Sequence, residues 1–291
     1  MYKTNEEFFE AENKLKGSIH PTSLPILKID KRDIYGIYPQ IGHGCEGSIH
    51  KYDEETALKL FMFIDKTKLD DKYKKIEELA KYSDESFCFP KGLVCYENEY
   101  REGYYTDLVI PDKKLTNIER LISYKDIKKK IDILIKANDA IERIHELGFV
   151  IGDLNTDNIM INEEGEPKFV DVDNYKFDGF NHDLYPTRRD WFKEVFAKDC
   201  SDIDSDKFLY AMVALQTFAM GTLLRMARSK MFFEMLIGLL NIDEESKEIL
   251  EAIFSDAENK PYIGPVLRKI KTEENLLPED YVGTLNRYYY R

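Results

Sequence analysis

Gly152-Asp153-Leu154-Asn155-Thr156-Asp157-Asn158 is the stretch that decides the predicted fold, together with Phe169-Val170-Asp171-Val172-Asp173 a few residues later. Asp and Asn side chains are hard oxygen ligands that suit Mg²⁺, which binds through one or two carboxylates together with waters and substrate phosphates. A further carboxylate can orient and deprotonate a hydroxyl group. Asp153, Asn158 and Asp171 are therefore candidate catalytic and metal-binding residues. An ordinary turn is the alternative for this stretch alone, because Asp and Asn are common turn residues.

A helix and a hairpin are predicted to bring these side chains together. Apolar residues recur at helical spacing from Tyr124 to Leu147, and Gly148 suits the C-terminal end of that helix. Two strand-like runs follow, Asn158–Ile161 and Pro167–Val172, with a turn sequence between them. The loop after the helix and the end of the second strand are thus expected to lie side by side.

A glycine-rich stretch precedes these motifs, with the sequence Gly-His-Gly-Cys-Glu-Gly-Ser-Ile at residues 42–49. Glycine lets the backbone approach a phosphate closely, because no Cβ obstructs it. A dinucleotide-binding motif would need a helix directly after the glycines. Here Ser48–Tyr52 and Thr56–Phe61 resemble two strands instead, which favours a glycine-rich hairpin lying over phosphates. A plain glycine-rich turn is the alternative for this motif alone.

Lys59 lies in the second of those strands, within Ala57-Leu58-Lys59. An ammonium group among apolar neighbours is costly without a counter-charge, and a ligand phosphate would supply one. A lysine that reaches solvent from an edge strand is the alternative.

Taken in this order, the motifs resemble the eukaryotic-type protein kinase fold over about residues 38–270. The resemblance implies ATP binding in which Lys59 holds the α- and β-phosphates and the glycine-rich loop covers them. A hinge within residues 106–109 would meet adenine through its backbone. The nucleotide-binding residues implied are Gly42, Gly44, Gly47, Ile49, Ala57, Lys59, Thr106, Asp107 and Val109.

The same resemblance assigns the transfer chemistry. Asp153 would be the catalytic base, and Asn158 and Asp171 would hold Mg²⁺. Asn155 stands in the catalytic loop where the family has a lysine, and it is grouped with Asp153 and Lys59 as catalytic. Asp206 resembles the family's buried aspartate that braces the catalytic loop.

Several positions depart from the family pattern. Ile151-Gly152 replaces the His-Arg that precedes the catalytic aspartate, and Asp171-Val172-Asp173 replaces Asp-Phe-Gly. In the helix predicted around residues 70–82, Lys72 or Tyr73 occupies the place of the glutamate that pairs with the strand lysine. Glu77 and Glu78 could substitute for it only in a rotated or shifted helix.

Three functions stay open on these residues. The favoured one is a serine/threonine-type protein kinase, similar to divergent bacterial kinase-like proteins that carry a Gly-Asp-Leu-Asn loop. The same loop is also similar to that of aminoglycoside and choline kinases, which would imply a small cationic substrate. The missing glutamate and the altered Asp-Phe-Gly triplet would also suit a nucleotide-binding pseudokinase.

The expected fold class is α+β, with a small β-rich N-lobe and a larger helical C-lobe. The predicted boundaries are an N-terminal extension at 1–33, the N-lobe at 34–110, the C-lobe at 111–270 and a tail at 271–291. Two halves of unlike class are expected to enclose a ligand cleft.

The bulk composition limits the partners and the setting. The 291 residues carry a net charge of −13, which argues against nucleic acid and allows a basic peptide or a cationic small molecule. The longest apolar stretches are too short or too polar to span a bilayer, so no membrane partner is expected. Four scattered cysteines suggest neither zinc nor disulfides, and a cytoplasmic location is expected.

Overall fold

The structure is a computed structural model that describes residues 22–44, 46–61, 69–96, 101–181, 201–218, 230–270 and residue 276. The chain divides into two compact units, with the boundary between Val109 and Ile110. The fold is mixed α+β, and the described residues form one six-stranded sheet, one two-stranded sheet and seven α-helices. Most of the predicted N-terminal extension, and the predicted tail apart from residue 276, lie outside the described residues.

The N-terminal unit is built on the six-stranded sheet. Its strands follow the order β1-β5-β6-β4-β3-β2, and only the β1–β5 pair is parallel. Helix α1 (Lys31–Gly36) and helix α2 (Leu69–Leu79) complete the unit. The strands are β1 (Ile26–Ile29), β2 (Gln40–His43), β3 (Gly47–Lys51), β4 (Thr56–Phe61), β5 (Gly92–Tyr96) and β6 (Arg101–Asp107).

Strand β1 and the start of α1 fall inside the stretch that the sequence analysis assigned to an N-terminal extension. Ile29 is buried, and β1 pairs with β5 from Ile26 opposite Leu93 to Ile29 opposite Tyr96. This pairing joins residues more than sixty positions apart, as the register shows. A local pattern of four residues cannot reveal such a distant partner, so the sequence analysis missed the strand.

The two faces of the sheet pack against different groups of residues. Leu58 and Leu60 of β4 join one buried cluster, whose other members include Ile29, Ile34 and Val94. Side chains alternate between faces along a strand, so Lys59 and Phe61 point to the other face. Tyr73 and Ile76 of α2 pack there with Leu93, Tyr104 and Phe61. This second side of the sheet is called the α2 face below.

Gly47 begins β3 at a point where two strand backbones approach closely. A Cβ added at Gly47 would lie 2.0 Å from the carbonyl oxygen of Leu60, which belongs to the paired strand β4. No relaxed side chain allows that distance. Gly47 therefore has a packing role in the sheet, whatever it also does for a ligand.

Replacing Gly47 with alanine should therefore force β3 away from β4. We expect G47A to lower the free energy of unfolding by about 1–3 kcal/mol, the usual range for overpacking. The matched control is G44A, because a Cβ added at Gly44 meets nothing within 4 Å. Urea denaturation of both variants measures the difference, and equal stabilities would contradict the packing role.

The C-terminal unit contains the remaining elements. Helix α3 (Ile127–Glu146) is followed by the hairpin β7 (Ile159–Ile161) and β8 (Pro167–Phe169). Short 3₁₀ helices cover Ile118–Ser123 and Val172–Asn174. The later helices are α4 (Ile203–Gln216), α5 (Lys230–Leu239), α6 (Glu244–Phe254) and α7 (Gly264–Ile270). No helix in the described part of the chain is long and apolar enough to cross a membrane.

Helix α3 confirms the periodicity predicted for it. Its buried side includes all five of the apolar residues that set the helical spacing, Ile131, Leu134, Ala137, Ile141 and Ile144. Asp126 caps its N-terminus by accepting a hydrogen bond from the Lys129 amide at 3.0 Å. Gly148 follows the end of the helix with φ +83°, a conformation that glycine adopts without strain.

Several element boundaries differ from the prediction, and the end of β8 differs most. Strand β8 ends at Phe169 rather than Val172, because Asp171 has a left-handed backbone (φ 58°) and residues 172–174 form a 3₁₀ turn. Helix α4 begins at Ile203, and Asp202 and Ser205 form a capping box at its N-terminus.

Lys130 is a buried cation within the C-terminal unit. Its Nζ donates a hydrogen bond to the carbonyl oxygen of Thr217, which follows α4, at 2.6 Å. Burial lowers the pKa of Lys130 from 10.5 to about 8. Between these two values the unfolded chain binds a proton at this site that the folded protein has lost, so folding is favoured increasingly as pH rises.

The stability of the wild type relative to K130M should therefore rise from about pH 8 to pH 10. One proton limits the slope to about 1.4 kcal/mol per pH unit. Urea denaturation at several pH values measures it, with K128M as the control because Lys128 is exposed. If the difference in the free energy of unfolding between wild type and K130M did not change from pH 8 to pH 10, that result would contradict the account.

Candidate functional site

Asp206 is the centre of a buried hydrogen-bond network in the C-terminal unit. It lies in the first turns of α4 with no exposed surface. Its Oδ2 accepts from the amide of Ile151 at 2.6 Å, and its Oδ1 accepts from the amide of Gly152 at 2.8 Å. The structure thus confirms that Asp206 is buried and braces the loop that contains Asp153.

Gly152 explains why this loop can turn back toward Asp206. It has φ +74°, in the left-handed region that other residues adopt only with strain. The resemblance places an arginine of the family at this position. In this chain glycine permits the turn that directs its amide at the aspartate.

His145 joins the same network from the last turn of α3. Its Nε2 lies 3.1 Å from Asp206 Oδ2, and its Nδ1 lies 3.0 Å from the hydroxyl of Tyr262. A carboxylate only accepts, so Nε2 carries a proton and donates to Asp206. Burial raises the pKa of Tyr262 to about 12, so this hydroxyl keeps its proton at neutral pH. His145 is therefore a buried structural residue that does not face solvent.

Asp153 and Asn158 face one another across the loop. The Asn158 Nδ2 donates to the backbone oxygen of Asp153 at 3.0 Å and lies 3.3 Å from Asp153 Oδ2. Because its nitrogen is turned toward Asp153, the amide oxygen of Asn158 is the atom that can take a cation. Both residues are half-buried, so their polar atoms keep access to a ligand.

Asn155 shapes the loop through the hydrogen bonds of its side chain. Its Oδ1 accepts hydrogen bonds from the amides of Asp157 at 2.9 Å and Asn158 at 3.1 Å. Its Nδ2 lies 3.4 Å from the backbone oxygen of Asp153. These contacts make Asn155 a positioning residue for Asp153 and Asn158, a role that the grouping with the catalytic residues did not anticipate.

Asp171 lies beside Asn158 because of the β7–β8 register. Ile159 pairs with Phe169, and the Val170 amide donates to the carbonyl oxygen of Asn158 at 3.0 Å. Asp171 follows with φ 58° and ψ 34°, a left-handed conformation that is uncommon outside glycine. Such backbone outliers persist where the surrounding structure fixes them, and they cluster at functional sites.

A cation at this place would need ligands from outside the protein. Within the described ranges, no group of three or more His, Cys, Asp and Glu side chains could hold a metal ion. Asn158 and Asp171 would offer one amide oxygen and one carboxylate. That small oxygen set fits Mg²⁺, which keeps waters and binds substrate phosphates alongside few protein ligands.

Four of the predicted nucleotide-binding residues of the N-terminal unit share one face of its sheet. In the antiparallel ladders Ile49 lies opposite Lys59, Lys59 opposite Tyr104, and Ala57 opposite Thr106. Residues directly opposite one another point to the same side. The register therefore brings Ile49, Ala57, Lys59 and Thr106 onto the α2 face.

Lys59 is buried on that face, with 5% of its surface exposed. Its Nζ lies 6.0 Å from the centre of the Tyr104 ring, within range of a cation–π attraction. The alternative, a lysine that reaches solvent from an edge strand, is thus wrong. β4 lies inside the sheet, between β3 and β6.

The glycine-rich stretch forms the predicted hairpin. β2 and β3 pair antiparallel with Gly42 opposite Ile49, and the Gly44 amide donates to the carbonyl oxygen of Gly47 at 2.9 Å. Gly44 is exposed, and Cys45 lies outside the described residues. The turn therefore presents backbone rather than bulky side chains at Gly44.

The predicted hinge residues lie at the end of β6. Thr106 donates through Oγ1 to the carbonyl oxygen of Phe89 at 2.8 Å, and Asp107 forms an exposed ion pair with Lys91. Val109 follows the strand and is half-buried. The side chains of Thr106 and Asp107 thus contact the residues just before β5. Contact between adenine and the backbone of this hinge stays a prediction.

One polar contact in the N-terminal unit was not predicted from the sequence. Lys72 and Tyr73 are both buried on α2, and Lys72 Nζ lies 3.2 Å from Oε2 of Glu46 in the glycine-rich turn. The resemblance predicts Lys72 or Tyr73 at the position where the kinase family has a glutamate. In the sequence, the only indication of this pair is that the glycine-rich stretch contains an acidic residue, Glu46.

The sequence matches no protein-family model and has no significant match among curated proteins. Any functional assignment therefore depends on the geometry of these residues.

Asparagine at position 206 would test the network that holds the loop. D206N keeps the shape of the side chain but replaces one acceptor with an NH₂ group, which leaves an amide of Ile151 or Gly152 unsatisfied. We expect a loss of about 3 kcal/mol in the free energy of unfolding. The control is D157N, since Asp157 is exposed in the same loop. Urea denaturation that gives equal values for the two variants would refute the bracing role.

Proposed function

We propose that this protein is an ATP- and Mg²⁺-dependent kinase of the bilobal protein-kinase-like fold, transferring a phosphoryl group to a serine or threonine hydroxyl of a protein. The observation that carries the proposal is the loop held by Asp206, in which Asp153 and Asn158 lie 3.3 Å apart. The strained Asp171 beside Asn158 supports it. So does the alignment of Ile49, Ala57, Lys59 and Thr106 on one face of the sheet.

The chemistry follows from what each side chain offers. Asp153 is a carboxylate next to an amide donor, and it would orient an acceptor hydroxyl and take its proton. Asn158 holds that carboxylate through Nδ2, while Asn155 fixes the loop around both. No covalent bond to the protein is needed, since positioning and charge neutralisation account for catalysis of this type.

Asn158 and Asp171 would hold Mg²⁺, which supplies positive charge to neutralise the phosphates when bound. Lys59 would hold the phosphates from β4, and the turn from Gly42 to Gly47 would cover them with backbone amides. The position of Lys59 supports this role, because it lies on the α2 face opposite Ile49 and Tyr104 with 5% of its surface exposed.

A pseudokinase is the second candidate, and one observation favours it. Lys72 or Tyr73 occupies the α2 position where the kinase family has a glutamate, and Lys72 pairs with Glu46. A chain that binds nucleotide without transferring phosphate would act by binding alone.

Substitution of the proposed base should separate these functions. We expect D153N to reduce transfer from γ-labelled ATP to a basic protein acceptor by at least about a hundredfold, the scale of general-base catalysis. ATP affinity should change little, whereas D171N should weaken binding in the presence of Mg²⁺. The measurements are label transfer and calorimetric ATP titration, with D157N as the matched control.

Each outcome has a distinct meaning. ATP binding without label on any acceptor would favour the pseudokinase. Transfer only to small amino alcohols would favour a metabolite kinase. Unchanged transfer in D153N would refute the proposed mechanism.

A further inference from the structure

The ion pair between Lys72 and Glu46 is largely shielded from solvent. The Nζ–Oε2 distance is 3.2 Å, with 3% of the lysine side chain and 12% of the glutamate side chain exposed. The Lys72 Nζ also lies 5.7 Å from the centre of the Phe61 ring. The pair joins the second turn of α2 to the residue directly before Gly47 in the glycine-rich turn.

The pair borders the same group of aromatic rings as Lys59. The Phe61 ring lies 6.0 Å from the Tyr104 ring, and Lys59 Nζ lies 6.0 Å from the centre of the same ring. Phe61 and Lys59 are two positions apart on β4 and point to the α2 face. The Glu46 carboxylate therefore turns inward, toward the face that carries Lys59.

The energetics of such a pair indicate a positioning role rather than a stabilising one. Removing two charges from water costs about as much as their attraction returns, so a buried pair adds little net stability. Breaking it by removing one partner is strongly unfavourable, so the geometry it imposes is firmly held. An unpaired carboxylate in a phosphate-binding loop would also repel its ligand, and Lys72 neutralises it.

We propose that the Glu46–Lys72 ion pair ties the glycine-rich turn to α2 and so positions the turn for phosphate binding. The expected family arrangement pairs a helix glutamate with the strand lysine, whereas here the helix supplies the cation and the loop supplies the anion. Glu46 and Lys72 are positioning residues in this account. That the turn binds phosphate rests on the proposed function, whereas the ion pair between the turn and α2 does not.

A double-mutant cycle tests the proposal. Calorimetric titration of MgATP is made with wild type, E46Q, K72M and the double variant. Each single variant should bind about tenfold more weakly, because the turn loses its position. The double variant should bind MgATP no more weakly than whichever single variant binds it more weakly. All three variants lose the same contact, the Glu46–Lys72 ion pair. K74M is the matched control, since the Lys74 side chain is 57% exposed on the same helix.

Two results of this cycle would overturn the proposal. Tighter binding by E46Q would mean that Glu46 competes with phosphate for Lys72. Additive losses in the double variant would mean that the two residues act separately.

Hydrogen exchange of the Gly44 amide gives a readout that does not need a ligand. This amide donates to the carbonyl oxygen of Gly47 and closes the turn. Exchange should be faster in E46Q and K72M than in wild type and K74M, and equal rates in E46Q and wild type would overturn the proposal. If wild type binds no ATP, the proposed function fails, but hydrogen exchange still tests whether the ion pair holds the turn to α2. E46Q alone is sufficient if K72M does not fold.

Discussion

The carboxylate of Asp206 is the constraint on which the candidate catalytic loop depends. It is fully buried and accepts from two consecutive backbone amides, those of Ile151 and Gly152. Buried amides have no water to bond instead, so the loop can leave this position only at a large cost. His145 adds a third donor from α3, and the loop is thereby fixed to two helices at once. Asp153 follows directly, which explains how a loop side chain keeps a defined position.

The N-terminal unit places its charged residues by a different constraint, the alternation of side chains along β4. Leu58 and Leu60 enter one buried cluster, so Lys59 must point to the opposite face, where α2 packs. That face is aromatic, with Phe61 and Tyr104 beside the buried lysines. A cation buried in this way needs a counter-ion nearby. Glu46 is the counter-ion of Lys72, and their ion pair joins the glycine-rich turn to α2.

The sequence was informative wherever local periodicity decides the structure. The bounds of β4 (Thr56–Phe61) and the buried apolar positions of α3 were predicted as the structure has them, because alternation and helical spacing are local signals. Strand β1 was missed because its partner is distant in sequence. The end of β8 was missed because a left-handed aspartate, rather than glycine or proline, stops the strand. Ion pairs such as Glu46–Lys72 depend on tertiary packing, which no spacing rule contains.

A crystal structure of the protein with Mg²⁺ and a non-hydrolysable ATP analogue tests the central claim most directly. The account predicts a cation on the Asn158 amide oxygen and the Asp171 carboxylate, with phosphate oxygens on Lys59. Asp206 should still accept from the amides of Ile151 and Gly152. A nucleotide bound away from these residues, or a cation that neither Asn158 nor Asp171 contacts, would contradict the account.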